Sequence, residues 1–179
     1  MKIVIHAVLG LSLAAIQPVY AAAAASPAQA AVQGPAHVKA VQDLLGAMQA
    51  EKILRGVAGR TRFPSEAQRK AVFARLDKLP PAEVYRRLAA PLTGVISLDT
   101  ATEMTRFYHT PYGKQVIHRK YNSGAQIMMP GMQETVPPEE KKERKRAAYV
   151  QASKELAQAQ PAIEREAFKL LQMIYTQKI

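Results

Sequence analysis

The chain has 179 residues, a formal net charge of +11 and no cysteine. Without cysteine, disulfide bonds, thiolate metal ligands and cysteine nucleophiles are excluded. Aromatic residues are few, tryptophan is missing and alanine is frequent, a composition that favours helices over sheets.

The first residues have the order of a secretory signal peptide. A short positive start, Met1–Lys2, precedes an apolar run over residues 3–16 and then small residues up to Ala25. The run is shorter than the roughly 18 residues of a membrane-spanning helix. The sequence therefore predicts a signal peptide over residues 1–25 and export to a bacterial periplasm, with no transmembrane segment in the mature chain.

The rest of the chain divides into a leader and one domain. Residues 26–35 are rich in alanine, glutamine, proline and serine, which predicts a flexible leader. Residues 36–179 have the length of a single domain. Apolar residues recur at helical spacing over residues 37–47 and 51–57, so two short helices are expected first. Glycines 56 and 59, followed by Pro64, predict a loop after the second helix.

Capping residues and prolines mark the helices in the middle of the chain. Ser65 with Gln68 forms a capping-box pattern that starts one helix, and Pro80–Pro81 ends it and opens the next. Pro91 is expected to interrupt or kink that next helix, and Ser97 to cap the one after it. The apolar side of the helix that contains Pro91 is expected to hold Val84, Leu88, Leu92 and Val95.

Residues 107–113 predict a sharp corner between two helices. Thr110 is an N-cap type, Pro111 suits the first position of a helix, and the preceding helix should end near His109. Gly113 permits close approach of a neighbouring backbone. The predicted structural motif comprises Phe107, Tyr108, Thr110, Pro111 and Gly113.

The aromatic residues around this corner have two interpretations. In the first they pack in the core and lock two helices together, because aromatic side chains near a corner mostly supply packing area. In the second, Tyr108, His109 and Tyr112 form a binding notch.

The last third of the chain is expected to be helical as well. Apolar residues continue the helix after the corner as far as Pro130, at Ile117, Tyr121, Ala125 and Met128. A basic helix is predicted from Pro138 toward Gln158, with Pro161 restarting or kinking it. The final helix is expected to bury Ile163, Ala167, Leu170, Leu171 and Ile174. The predicted fold is all-α, an irregular bundle of about six to eight helices.

Residues 141–146 form the densest positive cluster. Such a run is typical of a solvated helix face. Alternatively it contacts an anionic partner, and export favours lipid headgroups, lipopolysaccharide or acidic proteins. Nucleic acid is not expected, because no aromatic residues are interleaved with the charges. The candidate binding residues of this cluster are Lys141, Lys142, Arg144, Lys145 and Arg146.

Known patterns for catalysis, metals or cofactors are missing from the sequence. His37, His109 and His118 do not have the spacing of metal ligands, so no metal or cofactor is predicted. No catalytic residue is assigned. Glu103 is the carboxylate of most interest, and a salt bridge with Arg106 or Lys114 is its expected role.

Residues 84–130 resemble a bacterial family of exported helical proteins, domain of unknown function 2059. Phe107–Tyr108, Thr110–Pro111 and Gly113–Lys114 followed by an amphipathic helix carry the resemblance, with Leu44–Leu45–Gly46 in the N-terminal part. The resemblance implies an all-helical periplasmic protein and no catalytic residue. The basic segment over residues 138–179 is an extension beyond the shared part.

These observations favour a non-catalytic binding module of the cell envelope, although enzymatic activity stays an open question at this stage. One alternative is a cell-envelope hydrolase that uses Glu103 and His109. Another is a holdase-type chaperone, suggested by the seven methionines, several of which fall between Met128 and Met132.

Overall fold

The structure, a computed structural model, describes residues 34–122 and 137–176, and these residues form helices joined by short turns, with no strand among them. The all-α prediction is confirmed. The helices are α1 (Pro35–Ala47), α2 (Ala50–Arg60), α3 (Glu66–Lys78), α4 (Pro81–Leu92), α5 (Leu98–His109), α6 (Pro111–Asn122), α7 (Pro138–Arg144) and α8 (Ala147–Tyr175).

The predicted caps are present. The hydroxyl oxygen of Ser65 accepts a hydrogen bond from the backbone N–H of Gln68 at 3.2 Å, and that of Ser97 accepts one from Thr100 at 3.2 Å. Each bond satisfies a donor that the first turn of a helix would otherwise leave free. Pro81 is the first residue of α4, as its fixed backbone angle suggests.

The loop after α2 begins later than predicted. Gly56 and Gly59 lie inside α2, which continues to Arg60. Val57 and Ala58 are buried in the core, and this burial outweighs the low helix propensity of glycine.

The apolar side predicted for α4 is confirmed at three positions and is wrong at the fourth, Val95. Val84, Leu88 and Leu92 are buried, but α4 ends at Leu92 and Val95 is 44% exposed. Ile96 is fully buried instead. The helix passes through Pro91 and stops one residue later, so the helical period no longer sets the direction of the following side chains.

The predicted basic helix is also corrected, because it is two helices. Helix α7 ends at Arg144, and Arg146 has an extended backbone before α8 begins at Ala147. Pro161 does not restart the chain, since α8 is one helix of 29 residues that contains it. Pro161 lies on the exposed side of α8, where water can reach the carbonyl group that it leaves without a helical donor.

Helices α4 and α5 lie at the centre of the core, because each packs against both α1 and α8. Helix α1 packs against α4 and α5, and α8 packs against α2, α4 and α5. All five residues predicted to be buried on the final helix are buried, as are Leu44 and Leu45 of α1. Each such leucine contributes roughly 1.5–3 kcal/mol of transfer free energy. In α6, Ile117 is buried, whereas Ala125, Met128 and Pro130 lie outside the described residues.

Candidate functional site

The corner between α5 and α6 is built around Thr110. Its hydroxyl accepts a hydrogen bond from the N–H of Gly113 at 2.9 Å and donates one to the carbonyl of Phe107 at 2.7 Å. One side chain thus caps the start of α6 and the end of α5 together. Pro111 is the first residue of α6, as predicted.

Gly113 is required at this corner. A Cβ atom built on it would lie 2.0 Å from the carbonyl oxygen of Phe107 and 2.7 Å from the Cα atom of Tyr108. These are backbone atoms, which cannot rotate away as a side chain could. Glycine therefore sets how closely α6 approaches the end of α5.

Aromatic rings fill the inside of the corner. Phe107 is 2% exposed, and its ring centroid lies 5.3 Å from that of Tyr108, 6.1 Å from that of Tyr112 and 4.7 Å from that of Tyr149. Tyr149 comes from α8 and was not anticipated from the sequence, because no local pattern connects it to residues 107–113. This arrangement matches the packing interpretation of the corner.

The residues of the predicted notch lie on two different surfaces. Tyr112 is 7% exposed, its hydroxyl donates to the carboxylate of Glu140 on α7, and the guanidinium carbon of Arg119 lies 5.8 Å from its ring centroid. Tyr108 and His109 line a cleft elsewhere. Because a helix turns about 100° per residue, the α6 side chains that face this cleft, from Lys114 to Asn122, are turned roughly 60° to 160° away from Tyr112 around the helix axis.

The cleft lies between two helix corners, α1–α2 and α5–α6, and has a volume of about 570 Å³. We refer to it as the basic cleft. Its lining residues are Gly46, Ala47, Gln49, Lys52, Tyr108, His109, Lys114, Gln115, His118 and Asn122.

Positive groups in the basic cleft have no acidic partner in its walls. Lys52 and Lys114 approach from the two corners, His109 and His118 lie beside them, and none of the lining residues is acidic. Within the described ranges, Lys114 forms no ion pair, and Lys52 lies 5.2 Å from the ring centroid of Tyr121. Burial raises the pKa of Tyr108 to about 12, so its hydroxyl stays protonated at neutral pH.

Gln49 is the strained residue of this cleft. It has φ 55° and ψ 53°, and it is the single non-glycine residue with positive φ in the part of the chain that the structure describes. This conformation costs about 1–2 kcal/mol for a residue with a side chain. Its side-chain oxygen is buried without a hydrogen-bond partner among the described residues. Strain of this kind is concentrated at functional sites in proteins.

The second positive region surrounds the junction of α7 and α8. Arg106 lies 2.8 Å from Glu103 and 2.7 Å from Glu143, and Arg146 lies 2.6 Å from Glu103 and 2.9 Å from Glu143. The two carboxylate side chains are only 14% and 12% exposed. We call this closed set the arginine–glutamate ring. It ties α5 to the α7–α8 junction.

The candidate binding residues of the basic cluster therefore differ from one another. Arg146 belongs to the arginine–glutamate ring, and Arg144 pairs with Glu140. The hydrogen bond from Tyr112 and the nearby arginines hold the pKa of Glu140 below its ordinary value. The remaining members are exposed and have no ion pair with a described residue, and we call them the lysine face: Lys141, Lys142 and Lys145.

The expected salt bridge of Glu103 with Arg106 is present, whereas no local pattern predicted its further contacts with Arg146. Among the described residues, the carboxylate of Glu103 contacts guanidinium groups, whereas His109 lines the basic cleft. The structure does not bring these two residues together.

Among the described residues there is neither a membrane-spanning helix nor a cluster of metal ligands. None of their helices combines the length and the apolar character needed to cross a membrane, and their histidine and carboxylate side chains form no group of three with metal-binding geometry. Comparisons of the chain with protein families, with curated proteins and with solved structures found no match. The resemblance of residues 84–130 to domain of unknown function 2059 stays a prediction.

Proposed function

We propose that this chain is an exported, non-catalytic binding module of the bacterial cell envelope that attaches to an anionic component of that envelope. The observation that supports the proposal is the lysine face, whose three ammonium groups are exposed and have no acidic partner among the described residues. The signal-peptide pattern over residues 1–25 supports the location in the periplasm.

The lysine face belongs to α7 and its C-cap residue, Lys145, and α7 is held to the rest of the protein through two glutamates. Tyr112 binds Glu140, and the arginine–glutamate ring includes Glu143, which lies on the same side of α7 because it follows three residues later. Together with the pair of Arg144 with Glu140, these contacts engage Glu140 and Glu143, whereas the three lysines stay exposed. A Lys or Arg near an anionic membrane surface contributes about 1 kcal/mol, so three lysines contribute roughly 3 kcal/mol at physiological ionic strength.

Vesicle sedimentation tests the proposal. The mature chain is mixed with phosphatidylcholine vesicles that contain or lack phosphatidylglycerol. Replacement of the lysine face by glutamine (Lys141→Gln, Lys142→Gln, Lys145→Gln) should weaken binding to the anionic vesicles about a hundredfold. The matched control removes three exposed lysines elsewhere, at Lys70, Lys78 and Lys154, with the same change of charge.

Equal loss in both triple variants would show that binding depends on net charge alone and would overturn the assignment to α7. Equal binding of the unaltered chain to neutral and anionic vesicles would overturn the electrostatic attachment itself. Export is tested separately by expressing the full chain in a bacterium. We expect the periplasmic fraction to hold a shortened chain whose mass corresponds to removal of residues up to about Ala25.

The two alternatives have less support. In a hydrolase Glu103 would have to contact a substrate, but its carboxylate is held between two guanidinium groups. The holdase hypothesis rested partly on Met128, Met129 and Met132, which lie outside the described residues, so it stays a prediction.

A further inference from the structure

The geometry points to a second, independent site: the basic cleft binds a small soluble molecule that carries a phosphate group. This site does not involve the lysine face and does not depend on the function proposed above. Its residues come from α1, α2, α5 and α6 and from the turn between α1 and α2, so the chain brings them together only by folding.

The shape of the cleft favours a small molecule over a bilayer surface. Its volume of about 570 Å³ lies within the range of small-molecule sites, roughly 300–1,000 Å³. Its walls are two helix corners, and a concave space between corners admits a compact ligand. A flat membrane surface would instead meet the outward lysines of α7.

The donors in the cleft match an oxyanion with several oxygens. Lys52 and Lys114 supply ammonium groups from opposite walls, and His109 and His118 supply ring nitrogens. The protonated hydroxyl of Tyr108, which has no hydrogen-bond partner among the described residues, adds a neutral donor. A phosphate monoester has three terminal oxygens and a charge near −1.5 to −2 at neutral pH, so it can use donors from both walls.

Amide side chains also line the cleft, at Gln49, Gln115 and Asn122. Amide side chains donate and accept hydrogen bonds, so they can hold the hydroxyl groups of an organic phosphate. Gln49 also precedes the first turn of α2, and its side chain forms no capping hydrogen bond there.

The site can be tested by calorimetric titration with glycerol 3-phosphate. The double variant Lys52→Gln, Lys114→Gln should weaken binding by at least about tenfold, the effect of losing one charge-assisted hydrogen bond. The matched control, Lys141→Gln with Lys142→Gln, has the same net charge and should bind glycerol 3-phosphate as tightly as the unaltered chain. Equal weakening in both variants would overturn the site.

Two further experiments test whether the ligand carries a phosphate or a carboxylate group, and whether the phosphate belongs to a soluble molecule or to a lipid. Citrate replaces glycerol 3-phosphate in the first, and equally tight binding of citrate would overturn the choice of phosphate over carboxylate. In the second, vesicles that contain phosphatidic acid replace the soluble ligand. The cleft variant should bind these vesicles like the unaltered chain, and loss of vesicle binding with retained binding of glycerol 3-phosphate would overturn the assignment to a soluble molecule.

A measurement on the unaltered chain covers the case in which the variant does not fold. Nuclear magnetic resonance should show that glycerol 3-phosphate shifts the backbone amide signals of Lys52, Lys114 and His118. Shifts confined to residues of α7, or no shifts at a ligand concentration that saturates calorimetric binding, would contradict the proposal.

Discussion

The chain has two positive regions, and they differ in whether carboxylates neutralise the positive side chains. At the α7–α8 junction, Arg106 and Arg146 alternate with Glu103 and Glu143 in a closed ring. In the basic cleft, lysines and histidines lie in a space whose walls contain no carboxylate. Helix α6 lines the basic cleft with one side, and its Tyr112 binds Glu140 of α7 on another.

The difference separates charges that hold the fold from charges that are available to a ligand. A positive group that already contacts a carboxylate gains little from a second anion, because its field is largely neutralised. An uncompensated group in a concave site keeps its full attraction for an anion. The densest positive run in the sequence, residues 141–146, is therefore partly structural, whereas Lys52 and Lys114, more than sixty residues apart in the chain, form the less neutralised site.

The largest effect is expected from Gly113→Ala, which disturbs both regions at once. A methyl group at this position would overlap the backbone of Phe107, so α6 must move away from α5. We expect a loss of roughly 3 kcal/mol or more in the free energy of unfolding, measured by urea denaturation.

The control for this change is Gly59→Ala in α2, where no atom lies within 4 Å of the added Cβ. Alanine favours a helix over glycine by about 0.5–1 kcal/mol, so this variant should be slightly more stable than the unaltered chain. A small effect at Gly113 would show that the two helices do not meet as closely as described.

Glu103→Gln tests the structural role of the ring. It removes the charge that contacts Arg106 and Arg146 and leaves two guanidinium groups with one carboxylate. We expect a loss of about 2 kcal/mol in unfolding free energy, because hydrogen bonds between charged groups are among the stronger ones. Glu66→Gln, in an exposed pair with Arg69, should cost less than about 1 kcal/mol. Equal costs would contradict the closed ring.

Tyr112→Phe probes the link between α6 and α7. Loss of the hydrogen bond to Glu140 should lower the unfolding free energy by about 1 kcal/mol. The native pKa of Glu140 lies below its unfolded value, so its contribution is present above the unfolded pKa and is lost as pH falls through the native one. In the variant, a titration followed by nuclear magnetic resonance should show the pKa of Glu140 closer to its ordinary value. An unchanged pKa would refute the link.

The smallest effect at neutral pH belongs to the tyrosines near the cleft. Burial raises the pKa of Tyr108 and of Tyr121 to about 12. In the unfolded chain tyrosine ionises near pH 10, so the stability from burying these neutral rings is present below about pH 10 and is lost as pH rises toward 12. Tyr108→Phe should reduce this alkaline loss, measured by unfolding at several pH values. A steeper loss in the variant would contradict the assignment.

Local patterns predicted the helices well and their tertiary partners poorly. Ser65, Ser97 and Thr110 cap helices because a hydroxyl needs only the next three residues to find its backbone donor. The predicted ends of α2 and α4 were wrong. Helix α2 continues to Arg60 because Val57 and Ala58 are buried, and α4 already ends at Leu92, one residue after Pro91. Such burial depends on contacts with distant residues, which a local pattern does not contain.

By itself, the sequence determined the helical class, the caps and the corner at Thr110–Pro111–Gly113, because each of these depends on interactions within a few residues. Only the tertiary structure decided which positive groups are neutralised and which are not. An ion pair or a cleft forms between side chains that the packing of several helices brings together. The distance between such side chains cannot be read from their positions along the chain.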